Sequence, residues 1–186
     1  MVQTPSTMLP LGTRAPAFEL PDPAAGLRRS LSSLRGGSGT VVMFICNHCP
    51  YVIHVKAELA RLAQDYQPRG LGFVAISSND VEHYPQDAPA LMRDFAAAAG
   101  FSFPYLYDET QDVARAYQAA CTPDFFVFDA DLQLVYRGQL DDSRPGNGKP
   151  VTGHAMRAAL DALLAGQAIA ADQQPSVGCN IKWKRA

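Results

Sequence analysis

The sequence has almost no excess of charge and no long apolar run. Its 16 Lys and Arg residues nearly balance 18 Asp and Glu residues, and the formal net charge is -2. Such a balance predicts no basic surface for nucleic acid or for an anionic membrane. Nor is there a run of about 18 apolar residues, the length that a membrane-spanning helix needs. We therefore expect neither nucleic acid nor a membrane among the partners.

Cysteine is scarce as well, with four residues in 186. The N-terminal segment lacks the basic start and apolar stretch of an export signal, which predicts a cytoplasmic location. Disulfides rarely persist in that reducing compartment. Two neighbouring cysteines in such a protein are therefore expected to carry out chemistry or to hold a metal.

The one close pair, Cys46 and Cys49, lies between a predicted strand and a predicted helix. Residues 40–46 (TVVMFIC) are a short β-branched apolar run, typical of a buried strand. Over residues 50–66 apolar positions recur every three or four residues, which predicts an amphipathic helix. A second buried strand follows at residues 71–77. Strand, helix and strand then form a βαβ unit with parallel strands.

The later segments predict two more helices, a hairpin and a last helix, at residues 88–99, 108–117, 124–138 and 156–164. At the start of the second of these, the stretch 108–111 resembles a capping box. The resulting order, β-α-β-α-α-β-β-α, predicts an α/β three-layer sandwich with a central mixed sheet and helices on both faces.

The length predicts one domain over residues 1–186. We divide it into an N-terminal extension at 1–39, a core at 40–166 and a C-terminal tail at 167–186. The tail contains Pro175 and Gly178, and little regular structure is expected there.

The junction between strand and helix suits a reactive dithiol. Backbone N–H groups and the dipole at a helix N-terminus stabilise a thiolate. His48, next to Cys49, adds a donor or a positive charge that lowers a thiol pKa. Pro50 fits an early helical position, where its missing N–H costs nothing. Asn47, His48 and Pro50 are therefore predicted to support redox chemistry at Cys46 and Cys49.

Two other interpretations of the cysteine pair remain open. A zinc site needs four ligands, and no second Cys-x-x-Cys motif is present to complete one. His54 is predicted on the solvent-facing side of its helix with Glu58, where a histidine is more often solvated than a ligand. Free cysteine is also a common core residue, so the pair could be two buried thiols. The redox interpretation requires no cofactor and no metal.

A second motif, Cys121-Thr122-Pro123, directly precedes the predicted hairpin. A Cys-x-x-Cys motif at a strand-to-helix junction, together with a Thr-Pro pair that opens a hairpin, resembles the thioredoxin superfamily. The resemblance implies a thioredoxin-like sandwich in which Pro123 is cis and lies against the dithiol. It also implies that Thr122 and Pro123 contact the substrate.

The N-terminal stretch GTRAPAFELPD resembles the entry of the peroxiredoxins, which implies that residues 1–39 are a peroxiredoxin-type extension. The stretches CNHCPYV, SSND, CTPDFFVFD, DDSRPGNG and SVGCNIKWK are together similar to a group of bacterial peroxiredoxin-like proteins. That group is related to alkyl hydroperoxide reductase and the thiol-specific antioxidant proteins. The resemblance covers Gly12 to Lys184.

The resemblance leaves two enzyme activities open. The first is a thiol-disulfide oxidoreductase in which an exposed Cys46 attacks and Cys49 resolves the mixed disulfide. The alternative is a thiol peroxidase with Cys49-Pro50 as its peroxidatic motif. Peroxiredoxins place a threonine or serine where Cys46 stands and an arginine near the position of Pro123, so the assistance they give to peroxide is missing here.

The expected partners of such an enzyme are protein or small-molecule disulfides, peroxides and a cellular thiol reductant. Whether the dithiol reduces or oxidises its partners stays open. A metal-binding module is the third hypothesis.

The other two cysteines are predicted near the site. Cys121, two residues before Pro123, is expected to be a buried structural thiol, with redox participation as the alternative. Cys179 lies in the tail beside Gly178, and a mobile tail could bring it to the dithiol as a further resolving thiol.

Overall fold

The computed structural model describes residues 3–185. Its strands are β1 (Gln3–Pro5), β2 (Glu19–Asp22), β3 (Leu27–Ser30), β4 (Gly39–Phe44), β5 (Leu71–Ser77), β6 (Tyr105–Tyr107), β7 (Cys121–Thr122), β8 (Asp124–Phe128), β9 (Leu134–Tyr136) and β10 (Val177–Asn180). Its helices are α1 (Leu31–Leu34), α2 (Pro50–Tyr66), α3 (Pro89–Ala99), α4 (Asp112–Ala116) and α5 (His154–Leu164).

The centre of the fold is a five-stranded mixed sheet in the order β6-β5-β4-β8-β9. β4 pairs parallel with β5 and antiparallel with β8. The predicted βαβ unit is β4-α2-β5, and the predicted hairpin is β8-β9. β6 adds a parallel edge strand that the sequence did not reveal. The predicted α/β sandwich with a central mixed sheet is confirmed.

Alternate residues of β4 face two separate cores. Val41 and Met43 pack with residues of α2, α3 and α5 on one side of the sheet. Val42 and Phe44 pack with residues of α1 and α4 on the other side. All of β4 is buried, because strand side chains alternate between the faces and helices cover both. The two cysteines of the dithiol belong to the first core.

The C-terminal tail contains a strand, so the expectation of little regular structure there was wrong. β10 lies between β1 and β7 and pairs antiparallel with each. Gly178 approaches β7 so closely that a Cβ added to it would lie 1.9 Å from Thr122 O. Only glycine fits that approach. The residues of β10 do not by themselves predict a strand. It forms because it pairs with β1 and β7, which come from distant parts of the chain.

Two local predictions were also wrong. Glu58 is buried rather than solvent-facing, because its carboxylate pairs with Arg157 of α5 at 2.7 Å. α4 begins at Asp112 with no side-chain cap. In place of a capping box, the fully buried Asp108 accepts the backbone N–H of Ala114 at 2.9 Å. Among residues 3–185, no helix is long and apolar enough to cross a lipid bilayer.

Candidate functional site

The dithiol loop connects the end of β4 to the start of α2. After β4 ends, the N–H of Ile45 still donates to Ile76 O on β5 at 3.0 Å. Cys49 is the N-cap of α2, and Pro50 is the first helical residue. The predicted early helical position of Pro50 is therefore confirmed, and the helix N-terminus lies at Cys49.

Both sulfurs are enclosed by protein. Cys46 is 1% exposed and Cys49 is 0% exposed. The expectation of an exposed Cys46 was therefore wrong. Thr122 of β7 contacts both cysteines, and the loop that carries Asp87 contacts the backbone between them.

Thr122 lies against the dithiol, and its carbonyl belongs to the peptide bond with Pro123. The Thr122–Pro123 peptide bond is cis, as the resemblance implied. Cys49 Sγ lies 3.1 Å from Thr122 O, and Cys46 Sγ lies 3.5 Å from Thr122 Oγ1. The fold thus brings residues more than 70 positions apart into one site.

The two thiols have opposite pKa shifts. The hydrogen bond from Cys46 lowers the pKa of Cys49 to about 4, and further hydrogen bonds from Thr122, Cys179 and the N–H of Val52 add to the effect. The same bond raises the pKa of Cys46 above its usual range, with burial and the Asp87 carboxylate acting in the same direction. The pair therefore loses its first proton more easily than an isolated thiol and holds the second more tightly.

Asp87 fixes the backbone between the cysteines, a role that no motif of the sequence predicts. Its fully buried carboxylate accepts hydrogen bonds from Asn47 N (2.8 Å), His48 N (3.3 Å), His48 Nδ1 (2.7 Å) and Asn79 Nδ2 (2.8 Å). A buried carboxylate needs such donors. The predicted supporting residues Asn47 and His48 thus act together through a third residue 40 positions away.

His48, like Asn47, is a partly exposed member of this group. Its side chain is 25% exposed, and its ring stacks on Tyr84 with centroids 5.7 Å apart. His48 Nδ1 lies 3.9 Å from Cys46 Sγ. The ring therefore borders both the solvent and the first thiol of the motif.

Cys46, His48 and Asp87 bring three ligand-type atoms within 4.8 Å of one another. The carboxylate already accepts four hydrogen bonds, one of them from the histidine nitrogen that a metal would need. Zinc sites in proteins usually have four ligands. The arrangement fits a hydrogen-bonded network better than a metal centre.

The two remaining cysteines are buried near the dithiol. Cys121 Sγ donates to Pro123 O at 3.5 Å, and burial raises the pKa of Cys121 above its usual range. Cys179, on β10, forms a hydrogen bond with Cys49, while burial raises the pKa of Cys179 to about 12. Pairing within the sheet already places Cys179 at the site, so no tail movement is needed to bring it there.

Asp124 is a second acidic residue whose place near the dithiol no motif of the sequence predicts. It is fully buried at the start of β8, directly after Pro123. Its Oδ2 accepts the N–H of Ala120 at 3.1 Å, whereas Oδ1 has no hydrogen-bond partner among the described residues. Burial raises the pKa of Asp124 to about 6.

Weak signals for both acids were present in the sequence. Asp87 lies in the short stretch YPQDAP, where two prolines fix the chain around one carboxylate. Asp124 begins an otherwise apolar strand and is therefore an acid expected to be buried. Neither signal indicates which residues donate hydrogen bonds to the carboxylate, because those residues are distant in sequence.

Comparison with known proteins agrees with this geometry. The family model described as "AhpC/TSA family" matches residues 11–137. A protein of Mycobacterium tuberculosis strain H37Rv, provisionally named a peroxiredoxin, is 32% identical over 116 residues, which are 62% of this chain and 68% of that protein.

Solved structures extend the likeness. The crystal structure of an uncharacterized conserved protein from Geobacillus kaustophilus is 58% identical, with a TM-score of 0.98, over 100% of this chain and 98% of that one. A thiol:disulfide interchange protein of the thioredoxin family from Chlorobium tepidum is 18% identical, over 82% and 97% of the two chains. Its TM-score of 0.63 shows a shared thioredoxin-like fold. The chain belongs to the AhpC/TSA family.

Proposed function

We propose that the protein is a thiol-disulfide oxidoreductase in which Cys46 attacks and Cys49 resolves. The observation that carries the proposal is the contact of both sulfurs with Thr122, at 3.5 Å and 3.1 Å. The dithiol and the cis peptide bond of Pro123 thus form one compact site. The partly exposed His48 beside Cys46 supports Cys46 as the attacking thiol.

The reaction consists of two successive thiol-disulfide exchanges. A proton passes from Cys46 to Cys49 along their hydrogen bond, and the Cys46 thiolate attacks one sulfur of the substrate disulfide. The substrate S–S bond breaks, and the leaving thiolate takes up a proton. Cys49 then loses its proton and attacks Cys46, which releases the second substrate thiol and leaves a protein disulfide. In the proposed cytoplasmic setting, a cellular thiol reductant restores the dithiol.

A thiol peroxidase is the second candidate, and the lowered pKa of Cys49 favours it. A Cys49 thiolate would attack a peroxide oxygen, the O–O bond would break, and Cys49 would become a sulfenic acid. Cys46 would then attack the Cys49 sulfur, release water and form the same disulfide. The hydrogen bonds described for the two sulfurs include none from an arginine. The leaving oxygen would lack that stabilisation, and slow turnover is expected.

Single-turnover assays of serine variants separate the two activities. Reduced protein is mixed with glutathione disulfide or with hydrogen peroxide, quenched by alkylation and analysed by mass spectrometry. We expect Cys46→Ser to abolish disulfide exchange and Cys49→Ser to accumulate a mixed disulfide at Cys46. Cys121→Ser is the matched control. Cys121 donates hydrogen bonds to backbone carbonyls, and a serine hydroxyl can donate the same bonds. Fast peroxide consumption that survives Cys46→Ser but not Cys49→Ser would instead assign the peroxidase.

A further inference from the structure

β10 occupies the edge of β7 that lies next to the two sulfurs. Thr122 pairs with Cys179 in antiparallel register. Gly178 packs so closely on Thr122 O that no side chain would fit between them. A strand that pairs with β7 would lie about 4.8 Å from it, and β10 already fills that place.

The outer edge of this sheet, at β1, is too far from the dithiol to bind a substrate chain beside it. β1 covers the outer side of β10, so a chain added beyond β1 would be separated from β7 by about 14 Å, three strand spacings. Thr122 and Cys121 are themselves buried, which leaves β7 no edge open to solvent. A polypeptide therefore has no strand edge beside the sulfurs along which it could bind.

β10 is held at both of its ends by side chains. Before it, Ser176 Oγ donates to Pro123 O at 2.6 Å. After it, Gln111 Nε2 donates to Lys182 O at 2.9 Å, and Gln111 Oε1 accepts the N–H of Lys184 at 2.9 Å. Gln111 is fully buried. These hydrogen bonds hold β10 in place beside the dithiol.

The remaining approach to Cys46 is narrow. Cys46 is 1% exposed, and the partly exposed ring of His48 borders it, with Nδ1 3.9 Å from Cys46 Sγ. Attack on a disulfide requires access along its S–S bond. A low-molecular-weight disulfide has only a small group on each sulfur and can pass the His48 ring. A disulfide within a polypeptide has main chain extending in both directions from each cysteine.

We infer that this site takes low-molecular-weight disulfides and excludes polypeptide disulfides, because β10 occupies the strand edge beside the dithiol. The inference rests on the proposed exchange at Cys46 and Cys49 and names its substrate class. Each turnover reduces one small disulfide to two thiols and oxidises the dithiol to a disulfide.

The test compares glutathione disulfide with insulin in single turnovers of fully reduced full-length protein. We expect the wild-type protein to react with glutathione disulfide at least about 10-fold faster than with insulin. Gly178→Ala forces β10 away from Thr122 and should raise the ratio of the insulin rate to the glutathione disulfide rate about 10-fold. Gly37→Ala is the matched control, because nothing lies within 4 Å of a Cβ added there.

Gln111→Ala is a second way to loosen β10 should Gly178→Ala fail to fold, because none of the described hydrogen bonds of the Gln111 side chain reaches a sulfur. It is expected to act in the same direction as Gly178→Ala. Equal rates with both substrates in the wild-type protein would overturn the inference, as would an insulin rate that stays low in every folded variant with a loosened β10. No reaction with either disulfide would instead refute the proposed function itself.

Discussion

The buried carboxyl of Asp124 should make the stability of the protein depend on pH in a predictable direction. Burial raises the pKa of Asp124 from its ordinary 3.8 to about 6. The folded state therefore holds this proton more tightly than the unfolded state. The resulting stabilisation is complete below about pH 3.8 and is lost as the pH rises through about 6. The difference of about 2.2 between the two pKa values corresponds to about 3 kcal/mol.

Asp124→Asn tests this magnitude, because asparagine does not ionise. Urea unfolding of the reduced variant and wild-type proteins gives their difference in free energy of unfolding at each pH from 4 to 8. Relative to the wild type, the variant should gain about 2.4 kcal/mol of stability between pH 4 and pH 7, because about 0.5 kcal/mol of the full change has already occurred by pH 4. Other ionisable groups contribute equally to both proteins and cancel. A difference that stays constant with pH, or changes in the opposite direction, would refute the reasoning.

Asp141→Asn is the matched control with the opposite sign. Burial alone would raise the pKa of Asp141, but hydrogen bonds from Ser143 and from the N–H groups of Gly153 and Thr152 outweigh burial and hold it below its usual value. Its stabilisation is present above about pH 3.8 and is lost as the pH falls further. This variant should therefore lose stability relative to the wild type as the pH rises from 3 to 5.

Two further substitutions test the electrostatics of the dithiol. Asp87→Asn removes a negative charge that disfavours the Cys46 thiolate, so alkylation of Cys46 at pH 7 should become about 10-fold faster, as for a pKa lowered by about one. Cys179→Ala removes a hydrogen bond to Cys49 and should raise the pKa of Cys49, measured from the ultraviolet absorbance of its thiolate. Cys121→Ala is the control for the second substitution.

The control for Asp87→Asn is Asp80→Asn. Asp80 pairs with His83 at 2.6 Å in the same stretch of chain, and none of its described hydrogen bonds reaches the dithiol. Alkylation of Cys46 should stay at the wild-type rate in this control. Slower alkylation in Asp87→Asn would show that the carboxylate holds the loop in place and does not repel the thiolate charge.

The parts of the fold that follow from local sequence pattern were predictable. The apolar runs of β4 and β5 and the periodicity of α2 predict a βαβ unit, because neighbours along the chain determine it. The contact of Thr122 with the dithiol followed only from the resemblance to a family. A proline before a strand does not by itself indicate where the strand will lie.

The features that were missed depend on contacts between distant residues. β10 contains a glycine, and its pairing with β1 and β7 is invisible to local propensity. Glu58 lies on the polar side of α2, yet Arg157 of α5 turns that side into a buried ion pair. Asp87 lies outside every helix and strand that the sequence predicts, although its carboxylate holds the loop between the cysteines.

The position of β10 has a consequence for the order in which the site forms during synthesis. β10 joins two strands that are made long before it, β1 and β7. On the ribosome, the nascent chain carries both cysteines of the dithiol for about 130 residues of elongation before residues 177–180 can pair. Until then Cys49 lacks the hydrogen bond from Cys179. A chain that stalls before this point should present an uncovered dithiol, open to oxidants and to the thiols of other chains.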